Sequence, residues 1–362
     1  MELQIFIQKQ KVKSFDGEKD GKKIKQLQFD QKDTSLFLQQ FEIQTPQRNL
    51  MIRKTFSLVI ALAWVGFSVY LGSLMQQAFD ESQDYGRYNL AFSHIAFDIT
   101  VIVSICIFNF FWNNLQIFDA YYGLIPVARL AVLKMNSDKV FQEFNFKNFL
   151  ITTLIGIWGV RLFAHIFQKW RGFPDQDRRI TATEMRYRGV KRIFFWLWQQ
   201  PFIAFMNALL ISFLTLPVTA FYTRDAEAIQ RGEKYNFSEI LGYALAIYGL
   251  AVQSIADLES NLWRDSGASH KVCDTGLRRY LRYPQYYAEI VFWFGIWGAC
   301  VSSFSTATVI SSFVYWPIGF VIEALWLVVM TTIMDKRVLV RKEGWQEYKR
   351  KVRFGLIPFF RF

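Results

Sequence analysis

The sequence is poor in the residues that hold metals and build disulfide frameworks. It contains three cysteines and three histidines in 362 residues. The cysteines form no CxxC pair and show no Cys/His spacing typical of a metal site. We therefore predict no metal site and no disulfide framework. The sequence also lacks a Walker or Rossmann glycine loop, so a nucleotide would have to be held by side chains between helices.

The N-terminal residues lack a long apolar run. Residues 1–50 are polar and rich in lysine and glutamine, without the apolar core that a secretory signal has at its start. Acidic residues such as Glu2, Asp16 and Glu18 also make the segment a poor match to a mitochondrial presequence. We predict that residues 1–50 are a polar tail, disordered when alone, and that residues 51–362 form the main domain.

Apolar residues are abundant and are gathered into blocks. The chain is 52% hydrophobic and 18% aromatic, with a mean hydropathy of +0.14 in spite of 20% charged residues. Such segregation indicates membrane spans, which predicts an all-α, multi-pass transmembrane helix bundle of about eight spans, with seven possible. The third block is the least secure because it carries Pro126 and Arg129. The candidate spans are residues 56–75, 95–112, 120–135, 149–167, 194–222, 240–255, 287–303 and 309–334.

Lysine and arginine are distributed unevenly over the two sides of this bundle. With eight spans, one side receives the tail, the C-terminus and the loops near 114–119, 169–193 and 259–284, with 33 of the 42 basic residues. The opposite loops hold six. This asymmetry obeys the positive-inside rule, whereas seven spans would separate the basic tail from the other basic loops. The net charge of +12 then fits anionic lipids or a phosphate-bearing ligand, and we predict no nucleic-acid partner.

Ionisable residues inside or beside an apolar block are costly, so each is a functional candidate. The cluster at 158–179 contains Arg161 and His165, whose spacing of four places both on one face of a helix. Asp177 and Arg178, followed by Arg179, end this cluster on the basic side. The alternative is that Arg161 snorkels or pairs with an acid inside the bundle.

Three further clusters fall on the same basic side. Asp257 and Glu259 end a span, residues 274–289 combine arginines with tyrosines, and residues 337–360 form a basic amphipathic segment. Alone, the last segment indicates an interfacial helix, and 274–289 would equally suit an anchor at the headgroups. The cluster at 158–179, the acids at 257 and 259, and residues 274–289 could together form a pocket for an anionic ligand. Arginine binds phosphate through paired hydrogen bonds.

The same clusters, in order, resemble a known family. The matching pieces are DAYYGLIP at 119–126, WGVRL at 158–162, DRR at 177–179, AD at 256–257, DTGLRRYLRYPQYYAE at 274–289 and R…W..Y…IPFF at 341–360. Over roughly residues 95–360, the chain resembles the DUF1295 branch of the steroid 5-alpha-reductase-like membrane proteins, which are related to sterol reductases and isoprenylcysteine methyltransferases. The resemblance implies a multi-helix membrane bundle with a cofactor site on the cytosol-like side.

The resemblance also implies an activity and a set of binding residues. Reductase members use NADPH to reduce a carbon–carbon double bond conjugated to a carbonyl in a lipid such as a steroid, with a hydrogen-bond donor polarising the carbonyl. It assigns no catalytic residue here. The residues that it places along the dinucleotide are Arg161, Asp177, Arg178, Asp257, Arg279, Arg282, Tyr283, Gln285, Tyr286 and Glu289.

The chain departs from the family motif R-H-P-N-Y-F-G-E at several positions. Tyr283 stands in place of histidine, Gln285 in place of asparagine and Ala288 in place of glycine. Tyrosine lacks the second imidazole nitrogen, the glutamine amide reaches one methylene further, and alanine adds a methyl group at a predicted close approach to a ligand. Several such changes together indicate relaxed constraint.

These departures favour an accessory membrane subunit whose catalysis has been lost. The setting that we expect is a large, respiratory-type complex of the mitochondrial inner membrane, with membrane lipids and other subunits as partners. NADPH or a lipid could still be bound, or the NADPH site could be lost. The alternative is an active NADPH-dependent oxidoreductase that acts on a CH–CH group of an enone lipid in the endoplasmic reticulum. A methyltransferase is a more distant alternative.

Overall fold

The computed structural model describes residues 14–19, 22–27, 47–81, 89–112, 114, 116–136, 146–170, 172–173, 193–222, 235–267, 271–302 and 317–356, and the chain divides into two compact units, residues 1–56 and 57–362. In the first unit, β1 (Ser14–Lys19) and β2 (Lys22–Leu27) form an antiparallel hairpin. The expectation of a disordered tail is wrong for these strands. Lys19 pairs with Lys22, so the connecting sequence is Asp-Gly, which favours a two-residue turn. The predicted division after residue 50 stays a prediction.

Within the described residues, each of the eight predicted apolar blocks forms a helix. The prediction of an all-α, multi-pass bundle is therefore confirmed for the second unit. The helices are α1 (Gln47–Glu81), α2 (Asn89–Trp112), α3 (Gln116–Asn136), α4 (Phe146–Lys169), α5 (Gln200–Tyr222), α6 (Phe237–Asp265), α7 (Pro284–Val301) and α8 (Ile318–Arg341). A π-helical turn, Phe195–Gln199, precedes α5, a 3₁₀ turn, Gly276–Arg279, precedes α7, and the short α9 (Trp345–Lys351) follows α8.

Six of these helices are long and apolar enough to cross a membrane, which fits an integral membrane protein. They are α1, α2, α4, α5, α6 and α8. The apolar part of α3, Tyr121–Val132, is shorter, in agreement with the least secure of the predicted spans. The first turns of α7 contain Gln285 and Glu289, which lowers its apolar character.

Close packing of α6 against α7 determines where one motif residue lies. A Cβ atom at Gly249 of α6 would lie 2.7 Å from the Ala288 carbonyl oxygen of α7, so glycine is required for this approach. Ala288 itself is fully buried in the interface. Ala288 thus packs against the facing helix, and the close approach of a ligand at this position stays a prediction.

A sealed polar cluster joins α2, α3 and α5 inside the bundle. The Arg129 guanidinium lies 2.9 Å from an Asp98 carboxylate oxygen, and the Ser212 hydroxyl donates to the other oxygen at 2.6 Å. The two ring nitrogens of His94 contact threonine hydroxyls at 3.0 and 2.8 Å. All these side chains are buried. The residues of this interior cluster are His94, Asp98, Arg129, Ser212, Thr215 and Thr219.

Candidate functional site

The basic-side ends of α4 and α6 are joined by charged side chains. Arg161 of α4 forms an ion pair with Asp257 of α6, and both side chains are 15% exposed. One turn along α4, the His165 Nε2 atom lies 3.5 Å from the second Asp257 oxygen. The prediction that Arg161 and His165 share one face is confirmed. We call Arg161, His165 and Asp257 the helix-end cluster.

Glu289 of α7 lies in a cage of hydrogen-bond donors. The indole N–H groups of Trp158 and Trp293 each donate to its carboxylate at 3.0 Å, and the Gln253 amide donates as well. The two indoles meet edge to face at 5.0 Å. Glu289 therefore links α4, α6 and α7, and it lies within electrostatic reach of Arg161.

A tyrosine and a second acid lie near Glu289. The Tyr122 hydroxyl of α3 lies within electrostatic reach of the Glu323 carboxylate of α8, and Glu323 interacts electrostatically with Glu289. Glu323 is only 5% exposed. The sequence reasoning missed both residues, although an acid within the last apolar block was the signal that could have identified Glu323.

The turn before α7 is fixed by Glu259 of α6. Both Glu259 carboxylate oxygens accept the Leu277 N–H at 3.1 Å. Gly276 has a φ of +58°, and a Cβ atom there would lie 1.9 Å from Glu259 Oε1. The next arginine, Arg278, donates to the Ser260 hydroxyl at 2.5 Å. The glycine of the DTGL motif is thus required by this turn.

Arg282 and Tyr283 contact α8 and the C-terminal segment. The Arg282 guanidinium donates to the Val352 carbonyl at 2.9 Å and to Asp335 at 3.2 Å, and the Tyr283 hydroxyl donates to Asp335 at 2.7 Å. Burial and the hydrogen bond to Asp335 raise the pKa of Tyr283 above its usual value. The phenol therefore stays protonated as a donor to Asp335.

The C-terminal segment packs over the start of α7. Trp345 and Tyr348 of α9 are buried in a cluster with Tyr283, and the Tyr348 hydroxyl donates to the Arg278 carbonyl at 2.7 Å. We call residues 342–356 the strap. The interpretation of this segment as a helix with its apolar face in the membrane interface is wrong for α9, because its apolar side chains Trp345 and Tyr348 pack on the protein.

A comparison with known families identifies the chain. Its sequence matches the family described as a protein of unknown function, DUF1295, over residues 105–352, which is more than half of its length. The chain belongs to the DUF1295 family. Searches of curated proteins and of solved structures found no significant match. The matched region contains the helix-end cluster, Glu289 and most of the strap, while the relation to steroid 5-alpha-reductases stays a prediction.

In this DUF1295 protein, the sequence-predicted site residues separate into two groups. Arg161 and Asp257 are paired, with Glu289 close to them. Arg282 and Tyr283 instead contact Asp335 and the strap, so these five residues do not converge on one point.

The remaining sequence-predicted residues have varied surroundings. The Tyr286 ring stacks on Tyr283 with centroids 5.9 Å apart, and Arg279 is exposed. Gln285 is partly buried at the start of α7. Asp177 and Arg178, like Arg179, lie outside the described residues. Their contact with a cofactor stays a prediction.

Buried polar atoms without a hydrogen-bond partner accumulate at this end of the DUF1295 bundle. Buried polar groups are normally paired, so such a group of atoms indicates room for a polar ligand or ordered water. Guanidinium and indole donors beside amide acceptors suit a phosphate- and amide-bearing dinucleotide, so the residues present fit NADPH. Within the part of the chain that the structure describes, the atoms are Arg161 Nε, His165 Nδ1, Gln253 Oε1, Asn261 Oδ1, Trp263 Nε1, Arg278 Nε and Gln285 Oε1.

Proposed function

We propose that this DUF1295 protein is an accessory subunit of a large membrane complex that has kept a ligand-binding site of the reductase type and lost its chemistry. The observation that carries the proposal is that the motif residues form ion pairs and hydrogen bonds with neighbouring elements of the bundle. Arg161 is bound to Asp257, Glu289 to two indoles, and Tyr283 to Asp335. These contacts stabilise the bundle whether or not a reaction takes place.

Tyr283 gives the strongest support for lost chemistry. It stands where the resemblance expects a histidine, and its hydroxyl is committed to the Asp335 carboxylate. Its backbone N–H donates to the Gly355 carbonyl at 3.1 Å, which fixes the residue against the strap. Burial and the hydrogen bond to Asp335 raise the pKa of the phenol, so it stays protonated near neutral pH. Tyr283 thus serves the packing of the strap.

Retention of a ligand is supported by the unpartnered polar atoms around the helix-end cluster. Arg161 and Arg278 each keep a buried guanidinium nitrogen without a partner among the described residues. Such donors suit the phosphates of a dinucleotide, and the exposed Arg279 adds positive charge nearby. When bound, NADPH would supply a hydride.

Membership of a complex is supported by the apolar outer surface. Of the six candidate spans, α1 has the smallest buried share, 17% against 61% for the span that contains α5. Large side chains such as Val59, Phe67 and Tyr70 are exposed along α1. A lipid or another subunit would cover this surface. We place the complex in the mitochondrial inner membrane in preference to the endoplasmic reticulum.

The second candidate is an active NADPH-dependent reductase of an enone lipid. It is favoured by the Tyr122–Glu323 pair, which offers a hydroxyl donor among buried side chains near Glu289. Such a donor could hydrogen-bond a substrate carbonyl and so stabilise negative charge on its oxygen. Tyr122 would then be the catalytic residue.

Titration of the purified protein with NADPH, with and without a steroid-like enone, separates the two candidates. We expect binding without enone-dependent oxidation of NADPH. Arg161→Gln should weaken binding by about ten-fold or more, because a charge-assisted hydrogen bond is lost. Arg231→Gln, in a loop that the sequence places on the opposite side, is the matched control. Enone-dependent oxidation that Tyr122→Phe abolishes would establish the reductase instead.

A further inference from the structure

The strap presents a basic face to the outside. Its apolar residues Trp345 and Tyr348 point into the protein, where both are buried. The polar residues of α9 are exposed, and they are followed by an exposed arginine. The exposed basic side chains of the strap and of the neighbouring end of α8 are Lys336, Lys349, Arg350, Lys351 and Arg353.

Acidic side chains neutralise only part of this face. Lys349 lies 2.8 Å from Asp335, and Lys351 lies 3.1 Å from Glu347. In the described part of the chain, no ion pair involves Arg350 or Arg353. These two arginines therefore carry an excess of positive charge outward.

The position of the face in the chain places it beside the membrane. The apolar span of α8 ends at Lys336, and α9 begins at Trp345. In the predicted eight-span topology, this end of α8 lies on the side that collects 33 of the 42 lysines and arginines. Anionic lipids attract basic residues within about one Debye length of the surface, about 10 Å.

We propose that the outward face of the strap binds the anionic headgroups of the adjacent membrane leaflet, and that this contact holds the strap on the start of α7. The attraction is electrostatic, since the apolar face of α9 is used on the protein itself. Arg282 connects the strap to the start of α7, because its guanidinium donates to the Val352 and Arg353 carbonyls and to Asp335. Its backbone N–H donates to Phe354 as well.

The test uses the full-length protein in detergent, titrated with phosphatidylglycerol or with phosphatidylcholine of the same acyl chains. The measurements are thermal unfolding and hydrogen exchange of the Arg282 and Tyr283 amides. We expect phosphatidylglycerol alone to raise the unfolding temperature and slow this exchange. In Arg350→Gln/Arg353→Gln, the half-saturating lipid concentration should rise about five-fold for each charge removed, and added salt should reproduce the loss in the wild type.

The matched control is Arg231→Gln/Lys234→Gln, which removes two charges from a segment that the sequence predicts on the opposite side. Its response to phosphatidylglycerol should equal that of the wild type. An equal effect of phosphatidylcholine, or an equal loss in the control, would overturn the proposal. Stabilisation by inorganic phosphate without lipid would overturn it in favour of a soluble anion site. If the lipid raised the unfolding temperature without slowing hydrogen exchange of the Arg282 and Tyr283 amides, the proposed effect of the lipid on the strap would be wrong.

Discussion

In the described part of the bundle, two arginine–aspartate pairs each connect two different helices, and their surroundings differ. Arg129 and Asp98 of the interior cluster are at most 1% exposed and are enclosed by hydroxyl groups. Arg161 and Asp257 of the helix-end cluster are 15% exposed. Among the described residues, one nitrogen of Arg129 lacks a partner in the first pair, whereas several such atoms accompany the second pair, on Arg161 and His165 and on Asn261 and Trp263 nearby. An enclosed charge pair between membrane helices thus serves packing alone, whereas a partly exposed pair with several unpartnered polar atoms beside it can connect helices and also be a candidate ligand site.

The largest effect should come from breaking the enclosed pair. Asp98→Ala leaves the Arg129 guanidinium buried without its carboxylate, which should destabilise the protein by about 3–5 kcal/mol. Thermal unfolding in detergent and the yield of folded protein measure the loss. Asp257→Ala is the comparison, and it should cost much less because water reaches that pair. Equal losses in the two variants would contradict the distinction between the clusters.

A smaller loss is expected at the turn before α7. Gly276→Ala places a Cβ atom on the Glu259 carboxylate and strains a positive φ, so it should cost about 1–3 kcal/mol of stability. Gly267→Ala is the matched control, since Gly267 has a φ of +76° with nothing within 4 Å of the added Cβ. The difference between the two unfolding temperatures isolates the contact with Glu259. No difference would mean that Glu259 does not hold the turn.

A loss of about the same size is expected at the hydrogen bond between Tyr283 and Asp335. Tyr283→Phe removes a donor to a carboxylate, for an expected loss of about 1.5–3 kcal/mol, and it should speed proteolysis of the strap. Tyr280→Phe, at a residue 70% exposed, should change neither. If Tyr283→Phe left stability intact and abolished nucleotide binding, Tyr283 would belong to the ligand site.

The smallest effect on stability is expected in the helix-end cluster itself. Asp257→Asn keeps the shape and removes one charge from a partly exposed pair, so it should change stability by about 1 kcal/mol or less. It should change the affinity for NADPH, because Arg161 loses its carboxylate partner. Unfolding and NADPH titration of the same preparation measure both quantities. A large loss of stability without a change in the affinity for NADPH would mean that this pair serves packing alone, like the interior pair.

Much of the fold could be predicted from the sequence because the apolar blocks are long and separated by charged loops. As far as the structure describes it, each block forms a helix, and the shared side of Arg161 and His165 follows from helical spacing. The paired strands 14–19 and 22–27 were missed because polar composition was given more weight than the Asp-Gly sequence between them. The strap was misjudged because amphipathic spacing cannot distinguish a protein surface from a membrane surface.

The candidate site was harder to predict, since it depends on which helices pack together. Arg282 and Tyr283 are close in sequence to Glu289, yet they face α8 and the strap. Tyr122 and Glu323 meet although some two hundred residues separate them, and no local pattern records that contact. Composition and spacing identify ionisable residues whose burial costs free energy. The packing of the helices decides which of them pair with a neighbouring helix.

The most direct test of the central claim is isolation of the protein from its native membranes in mild detergent. Its migration on a native gel and its NADPH oxidation with an enone lipid are measured on the same preparation. We predict that it migrates within a large assembly and shows no enone-dependent oxidation. A free monomer that oxidises NADPH when the enone is added would contradict the account.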